Sequence, residues 1–208
     1  RNFKMKLKNF FKNLNKDFGN RNFEGFEFNS KKIKKNYIFF AIKGTKFDGN
    51  NFIKNAIKNG AKIIISNKFK TGINNGVLYI KVRDPRLALS SFSSKFYNKK
   101  PNNIIGVTGT NGKSSIANFY YQILTLNKKK VASIGTLGVK SDSINLKLDN
   151  TTMDSITNNK LLFKLKSKKI ENVILEASSH GLEQKRLHGI NFKTSIFTNL
   201  SRDHLDYH

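Results

Sequence analysis

Apolar residues come along this chain in two rhythms: short continuous runs, and stripes at three- and four-residue spacing. NYIFFAIKG (36–44), AKIIIS (61–66) and VLYIKV (77–82) are continuous runs bounded by turn residues, as expected of strands buried on both faces. Between the first two, DGNNFIKNAIKNG (48–60) puts Phe52, Ile53, Ala56 and Ile57 on one helical face and stops at Gly60. DPRLALSSFSSKFY (84–97) opens with Asp84 as cap and Pro85 at the first helical position, a strong start signal. Near the beginning, Met5, Leu7, Phe10, Phe11 and Leu14 predict a first amphipathic helix. After the polar, turn-rich NKKPNN (98–103) a strand ends at Ile104 and Ile105, and Ile116, Phe119, Tyr120, Ile123 and Leu124 mark one face of a helix. KVASIGTLGV (130–139), NVILEASSH (172–180) and FKTSIFTNLS (192–201) read as further strands. A helix over 154–168 turns Ile156, Leu161, Leu162 and Leu165 inward. Strands alternating with helices predict an α/β fold with a parallel sheet covered on both faces. The polar break divides the chain into domains 1–100 and 101–208.

Composition narrows the class. The 208 residues are 38% apolar and include 18 Phe, enough for real cores. No apolar run approaches the ~20 residues of a membrane span. The basic start RNFKMKLKNFFKNLN has no signal-peptide core; a transit peptide stays open beside the helix reading. The absence of cysteine excludes disulfides, thiol catalysis and cysteine metal sites. A net charge of +26 suggests nucleic acid at first sight. Yet the lysines are scattered and travel with Asn, Ile and Phe, residues of A/T-rich codons. Several, as in NKKK (127–130) and KLKSKK (164–169), fall where they suit a helix C-terminus. No basic run is interleaved with stacking aromatics. The expectation is a cytoplasmic nucleotide enzyme with no specific nucleic-acid partner, its charge helping to attract a polyanionic substrate.

The chemistry concentrates at strand ends. In IIGVTGTNGKSSIANFY (104–120), Gly106, Gly109 and Gly112 let the chain turn tightly between a strand and a helix. Helix N-terminal N–H groups lack partners and make an anion site. Lys113 would reach the β- and γ-phosphates of a nucleotide and the Ser114 hydroxyl a Mg²⁺ ion. The common phosphate-loop spacing wants glycine where Val107 stands, and here the glycines are at 106 and 109. Ligands of parallel sheets gather at the carboxyl ends of strands, where the loop, residues 176–180 and residues 199–204 all fall. Glu176 interrupts an apolar run, a costly place for a charge unless a cation meets it. Beside a nucleotide loop, Mg²⁺ ligation is the preferred reading, over a solvated or lysine-paired carboxylate. SRDHLDYH (201–208) supplies a further ligand set, although Asp203 and Asp206 serve equally as helix caps.

GVTGTNGKSS, DNTTMDSIT, EASSHGLEQKRLHGINF and FTNLSRDHLDYH occur in that order, and together they closely resemble the Mur ligases. Within that family they are most similar to the MurE type, which adds the third stem-peptide residue to UDP-N-acetylmuramoyl-L-alanyl-D-glutamate in peptidoglycan synthesis. The resemblance implies an N-terminal UDP-binding α/β domain followed by a P-loop parallel-sheet ATP-binding domain. It implies ATP-dependent amide ligation through an acyl phosphate, with a UDP-N-acetylmuramoyl-dipeptide and an amino acid, diaminopimelate or lysine, as partners. A monomer is the family expectation. Gly109, Thr110, Asn111, Gly112, Lys113, Ser114 and Ser115 would bind ATP, with Lys113 on the transferring phosphate. Ser114 and Glu176 would hold one Mg²⁺, and His204 with Glu176 a second. Asn150, Thr151, Thr152, Ser178, Gln184 and Arg186 would hold the muramoyl-dipeptide, Arg186 as a fork for a carboxylate or phosphate. In the first domain, Ser30 and then Thr45, Lys46 and Phe47 would contact the uridine diphosphate. Asn29 and Lys31 depart from the family's D-S-R around that serine, and both stretches also read as ordinary turns.

The family's third domain and its carbamylated lysine would lie beyond His208. The chain is therefore expected to be a fragment or a decayed copy, inactive alone. Another Mur ligase, a folylpolyglutamate synthetase-like ligase and an inactive nucleotide-binding remnant are the alternatives. The plausible uridine diphosphate loops of the first hundred residues weigh against the folylpolyglutamate type.

Overall fold

A computed structural model describes residues 5–45 and 47–201. The chain divides into two compact units, Arg1–Phe92 and Ser93–His208.

In the first unit β1 (Met5–Lys6), α1 (Lys16–Gly19) and β2 (Asn22–Phe23) precede β3 (Gly25–Glu27) and β4 (Tyr37–Phe40). Next come α2 (Ile53–Lys58), β5 (Ala61–Ser66), β6 (Gly72–Asn74), β7 (Val77–Lys81) and α3 (Pro85–Phe96), the last running past the division. The sheet order is β3-β4-β5-β7-β6, parallel except for the edge strand β6. The apolar runs became strands because both faces are covered. Phe39, Ala41, Ile64 and Val77 pack with Ile53 and Ala56 of α2. On the alternate positions Phe40 meets Phe26 and Phe92, which lies 4.8 Å from Phe26 and 5.4 Å from both Phe23 and Phe40. Asp84 caps α3 by accepting from the backbone N–H of Arg86 and Leu87 at 2.9 and 3.0 Å.

The predicted first helix is not there. Met5–Lys6 pairs antiparallel with Asn22–Phe23, and only a 3-10 turn, Leu7–Asn9, and the short α1 follow. Its apolar residues serve the core one at a time: Leu7 is buried and Phe10 stacks on Phe92 at 4.1 Å. β6 was not foreseen, although Asn75 and Gly76, both at positive φ, form the two-residue turn that joins it to β7.

In the second unit the order is β8 (Asn103–Thr108), α4 (Lys113–Leu126), β9 (Val131–Gly135), β10 (Gly138–Ser141) and β11 (Asn145–Leu146). Then follow α5 (Ser155–Ser167), β12 (Asn172–Glu176), α6 (Ser179–Glu183) and β13 (Thr194–Phe197). The sheet runs β11-β10-β9-β12-β8-β13, with β9, β12, β8 and β13 parallel and β10 and β11 antiparallel. The single predicted strand 130–139 is thus a hairpin: Gly138, at φ +91, closes a two-residue turn at Thr136 and Leu137. Leu161, Leu162 and Leu165 of α5 pack on Ile104, Val173 and Leu175, and Asp154 caps that helix through the Thr157 N–H at 3.0 Å.

Two readings of the 104–124 stretch change. Gly106 lies inside β8 and leaves room for the Phe192 ring rather than turning the chain. On α4 it is Ala117, Ile116 and Tyr120 that face Val107 and Ile174, while Phe119 and Ile123 are more than half exposed, at 59% and 57%. Burial pushes the Tyr120 hydroxyl's pKa up.

Candidate active site

Three chain segments meet where β8, β12 and β9 end. β8 runs into the glycine loop; its neighbour β12 ends at Glu176, in register with Val107; on the other side of β12, Leu175 stands opposite Ile134 of β9. That register sets Gly135 and Thr136 beside the carboxylate.

The loop turns at Gly109, at φ +128, where any Cβ would run into Thr198 and Asn199. Val107 is fully buried within the strand, so the tight turn begins two residues later than the common spacing has it. The loop is fastened to the chain after β13. Thr110 N–H donates to the Asn199 carbonyl at 3.0 Å, Asn111 N–H to Asn199 Oδ1 at 3.0 Å, and Thr198 Oγ1 to the Asn111 carbonyl at 2.7 Å. Gly112, at φ +85, is the N-cap of α4 and no side chain caps the first turn. The first N–H groups of a fourteen-residue helix therefore face the loop's mouth, a ready anion site. Lys113 folds over this mouth, its Nζ donating to the Gly109 and Thr110 carbonyls at 2.6 and 2.8 Å. An ammonium has three donors, so one remains for an anion. Ser115 is exposed in the first turn of α4.

Glu176 is 1% exposed. Neither expected alternative describes it: it is not solvated, and no lysine pairs with it among the described residues. Instead its Oε2 accepts from Ser114 Oγ at 2.9 Å and Thr136 Oγ1 at 3.1 Å, and its Oε1 from the Thr136 N–H at 3.1 Å. A buried carboxylate held only by neutral donors keeps its charge uncompensated. A carboxylate and a hydroxyl side by side are hard oxygen donors suited to Mg²⁺, which takes one or two carboxylates and completes its shell with phosphate oxygens and water. Among the described residues no group of three or more His, Cys, Asp or Glu gathers, here or elsewhere. His204, the other expected ligand, lies outside the described residues.

Of the expected dipeptide residues, Thr151, Thr152, Ser178, Gln184 and Arg186 come together beside Glu176. Thr151 Oγ1 is 3.0 Å from Thr136 Oγ1. Thr152, 1% exposed, donates to the Glu176 carbonyl at 2.8 Å and accepts from the Ser178 N–H at 2.9 Å. Ser178 caps α6 through the Gly181 N–H at 3.1 Å. Arg186 Nε and Nη2 grip Gln184 Oε1 at 3.1 and 2.8 Å, and Nη1 donates to the Thr152 carbonyl. The guanidinium thus ties the 150–152 loop to the residues after α6. Asn150 is exposed. Asn199 stands in the strand-end segment the sequence points to, whereas Thr136 is not among the expected site residues, because nothing local distinguishes GTLG from an ordinary strand end.

In the first unit the expected uridine diphosphate residues share one end of a sheet. Ser30, buried, follows β3, with Asn59 Nδ2 donating to its carbonyl at 2.9 Å; Thr45 and Phe47, both exposed, follow the neighbouring β4. Lys46 lies outside the described residues. Asp48 closes this loop. Hydrogen bonds from Lys68 at 2.9 Å, and then from Asn50, hold its carboxyl at about 2.

Residues 22–97 match the Mur ligase family, catalytic domain, and residues 107–208 the Mur ligase middle domain. The UDP-N-acetylmuramoyl-L-alanyl-D-glutamate--2,6-diaminopimelate ligase of Rickettsia conorii is 44% identical over 94% of this chain, which spans 41% of that protein's length. Its Clostridium acetobutylicum counterpart, ligase 2 of the same name, is 39% identical over 98% of the chain and 44% of its own length. A solved structure of such a ligase superposes with a TM-score of 0.84 at 29% identity, over 99% of this chain and 42% of that one. With both halves matched and a solved relative superposing over nearly every residue, the chain belongs to the Mur ligase family.

Proposed function

We propose that this chain is part of an ATP-dependent amide ligase that joins 2,6-diaminopimelate to UDP-N-acetylmuramoyl-L-alanyl-D-glutamate, the reaction its relatives are named for. The observation that carries it is the Ser114–Glu176 hydrogen bond at 2.9 Å, a hydroxyl and a buried carboxylate adjoining an uncapped helix N-terminus. Residues 1–100 bind the uridine diphosphate through Ser30, Thr45, Lys46 and Phe47, and residues 101–208 bind ATP. The nucleotide substrates put the reaction in the cytoplasm.

A carboxylate is a poor electrophile, so the reaction first makes it one. A substrate carboxylate oxygen attacks the γ-phosphorus of ATP and ADP leaves; the amine nitrogen then attacks the acyl carbon, phosphate leaves, and the nitrogen gives up a proton to solvent. The loop N–H groups and Lys113 stabilise charge on the transferring phosphate, and such preorganised donors cost no reorganisation during the step. Mg²⁺, when bound, neutralises phosphate charge; Ser114 and Glu176 would hold it, and His204 would share a second ion with Glu176. Thr151, Thr152, Ser178, Gln184 and Arg186 orient the dipeptide, and burial of Glu176 excludes water from behind the site.

The test is Lys113→Ala in the intact protein. Ligation and ADP release should be lost while the UDP-linked precursor still binds by calorimetry. Unchanged ligation by that variant would refute the reading.

A further inference from the structure

Thr136 stands between two groups of residues that the proposed function keeps apart. It is the first residue of the turn between β9 and β10, and it grips Glu176 twice, by N–H on Oε1 and by O–H on Oε2, each at 3.1 Å. Two donors on two oxygens fix the plane of the carboxylate. Ser114 reaches Oε2 from the phosphate-loop side at 2.9 Å. On its other side the Thr136 hydroxyl lies 3.0 Å from that of Thr151. An ionised carboxylate only accepts, so the one proton of Thr136 goes to Glu176. At the hydroxyl pair Thr151 must then be the donor. The chain has one direction: Thr151 O–H to Thr136 Oγ1, Thr136 O–H to Glu176 Oε2.

The surroundings leave the carboxylate only small reorientations about this grip. Gly135 packs so closely on Glu176 that even a methyl would overlap it, and threonine's branched side chain is stiff about its first torsion.

We propose that Thr136 is a positioning residue that couples the two ligands of this site. A precursor seated on the 150–152 loop sets the Thr151 hydroxyl, Thr136 follows, and Glu176 is held ready for the cation that accompanies the nucleotide. Each ligand orders the same three-residue chain, so the second meets it already set and binds more tightly. By linkage the effect is equal in both directions. The inference rests on the proposed function for the identity of the two ligands.

Calorimetric titrations of the intact protein test it, with Mg²⁺ and a non-hydrolysable ATP analogue as one probe and UDP-N-acetylmuramoyl-L-alanyl-D-glutamate as the other. In the parent protein, saturating precursor should tighten nucleotide binding by about fivefold or more. Thr136→Val keeps the shape and the N–H bond but removes the hydroxyl, and the ratio should fall to about one while each ligand alone still binds. Thr136→Ser, which restores the hydroxyl, should restore the ratio; a merely structural threonine would not show this split. The relay is overturned if Thr136→Val keeps the parent ratio, or if Thr136→Ser loses as much as valine does. A parent protein that binds both ligands independently overturns the relay and leaves the ligase reading standing. One that binds neither overturns both.

Discussion

Gly135→Ala isolates the grip on Glu176 in a single methyl group. Gly135 is not among the positive-φ glycines, so its backbone accepts alanine. Relieving a strand of glycine should by itself stabilise by about 0.5–1 kcal/mol. The added Cβ, however, would overlap Oε1 and Cδ of Glu176 and lie 2.6 Å from its Cγ. The carboxylate has to move, and the bonds it gives up first are the two from Thr136, both 3.1 Å long. Hydrogen bonds to a charged group contribute about 1.5–3 kcal/mol each. Losing both costs about 3 kcal/mol or more, so the net destabilisation is about 2 kcal/mol or more. Urea unfolding followed by circular dichroism measures it, in a double-mutant cycle with Glu176→Ala. Once the carboxylate is gone the methyl has room, and Gly135→Ala should become neutral or mildly stabilising. The interaction energy of the pair is then about 2 kcal/mol or more, well outside the scatter of independent sites. An equal cost in both backgrounds would refute the argument, because the penalty would then owe nothing to Glu176.

Three further outcomes are expected. Asp48, its carboxyl lowered to about 2 first by the Lys68 hydrogen bond, contributes stability that is present above its ordinary value of 3.8 and lost as pH falls through about 2. The stability gap between the parent and Asp48→Asn should therefore close between about pH 4 and pH 2 in urea titrations; it should stay below about 1 kcal/mol, since Lys68 is exposed. Arg186→Lys keeps the charge but cannot hold Gln184 and the Thr152 carbonyl together; precursor affinity should fall roughly ten- to a hundredfold by calorimetry with nucleotide affinity nearly unchanged. Gly138→Ala, at φ +91 and pressed against the Leu146 carbonyl, should destabilise by about 1–3 kcal/mol in thermal melts.

The strands are legible where burial on both faces writes itself as an unbroken run, as in β5 and β7, and the helices where a cap announces them, as at Asp84, or an apolar stripe does, as in α5. Glu176 was legible as a candidate because a lone charge in VILEA needs a reason. The misreadings share a cause. Met5 to Leu14 has helical spacing, yet Phe10 and Leu7 are recruited one by one into a core built around Phe92, far along the chain. The stripe on α4 is only partly right: Ile116 and Tyr120 pack on the sheet, but the sheet buries the small Ala117 and leaves Phe119 and Ile123 exposed. Thr136 could not be found locally at all, since only the register of β9 against β12 carries it to Glu176, forty residues away in sequence.

That separation has a kinetic side. The bonds that assemble the site join residues 62, 40 and 88 positions apart: Ser114 to Glu176, Thr136 to Glu176 and Asn111 to Asn199. None can form during the early growth of a helix or hairpin, and loop closure must be met before they give anything back. Folding of the second unit should be slow for its size, with these contacts formed late. A ligand that binds only the closed constellation would then act mainly on the unfolding rate, lengthening the lifetime of the folded state without hastening its formation.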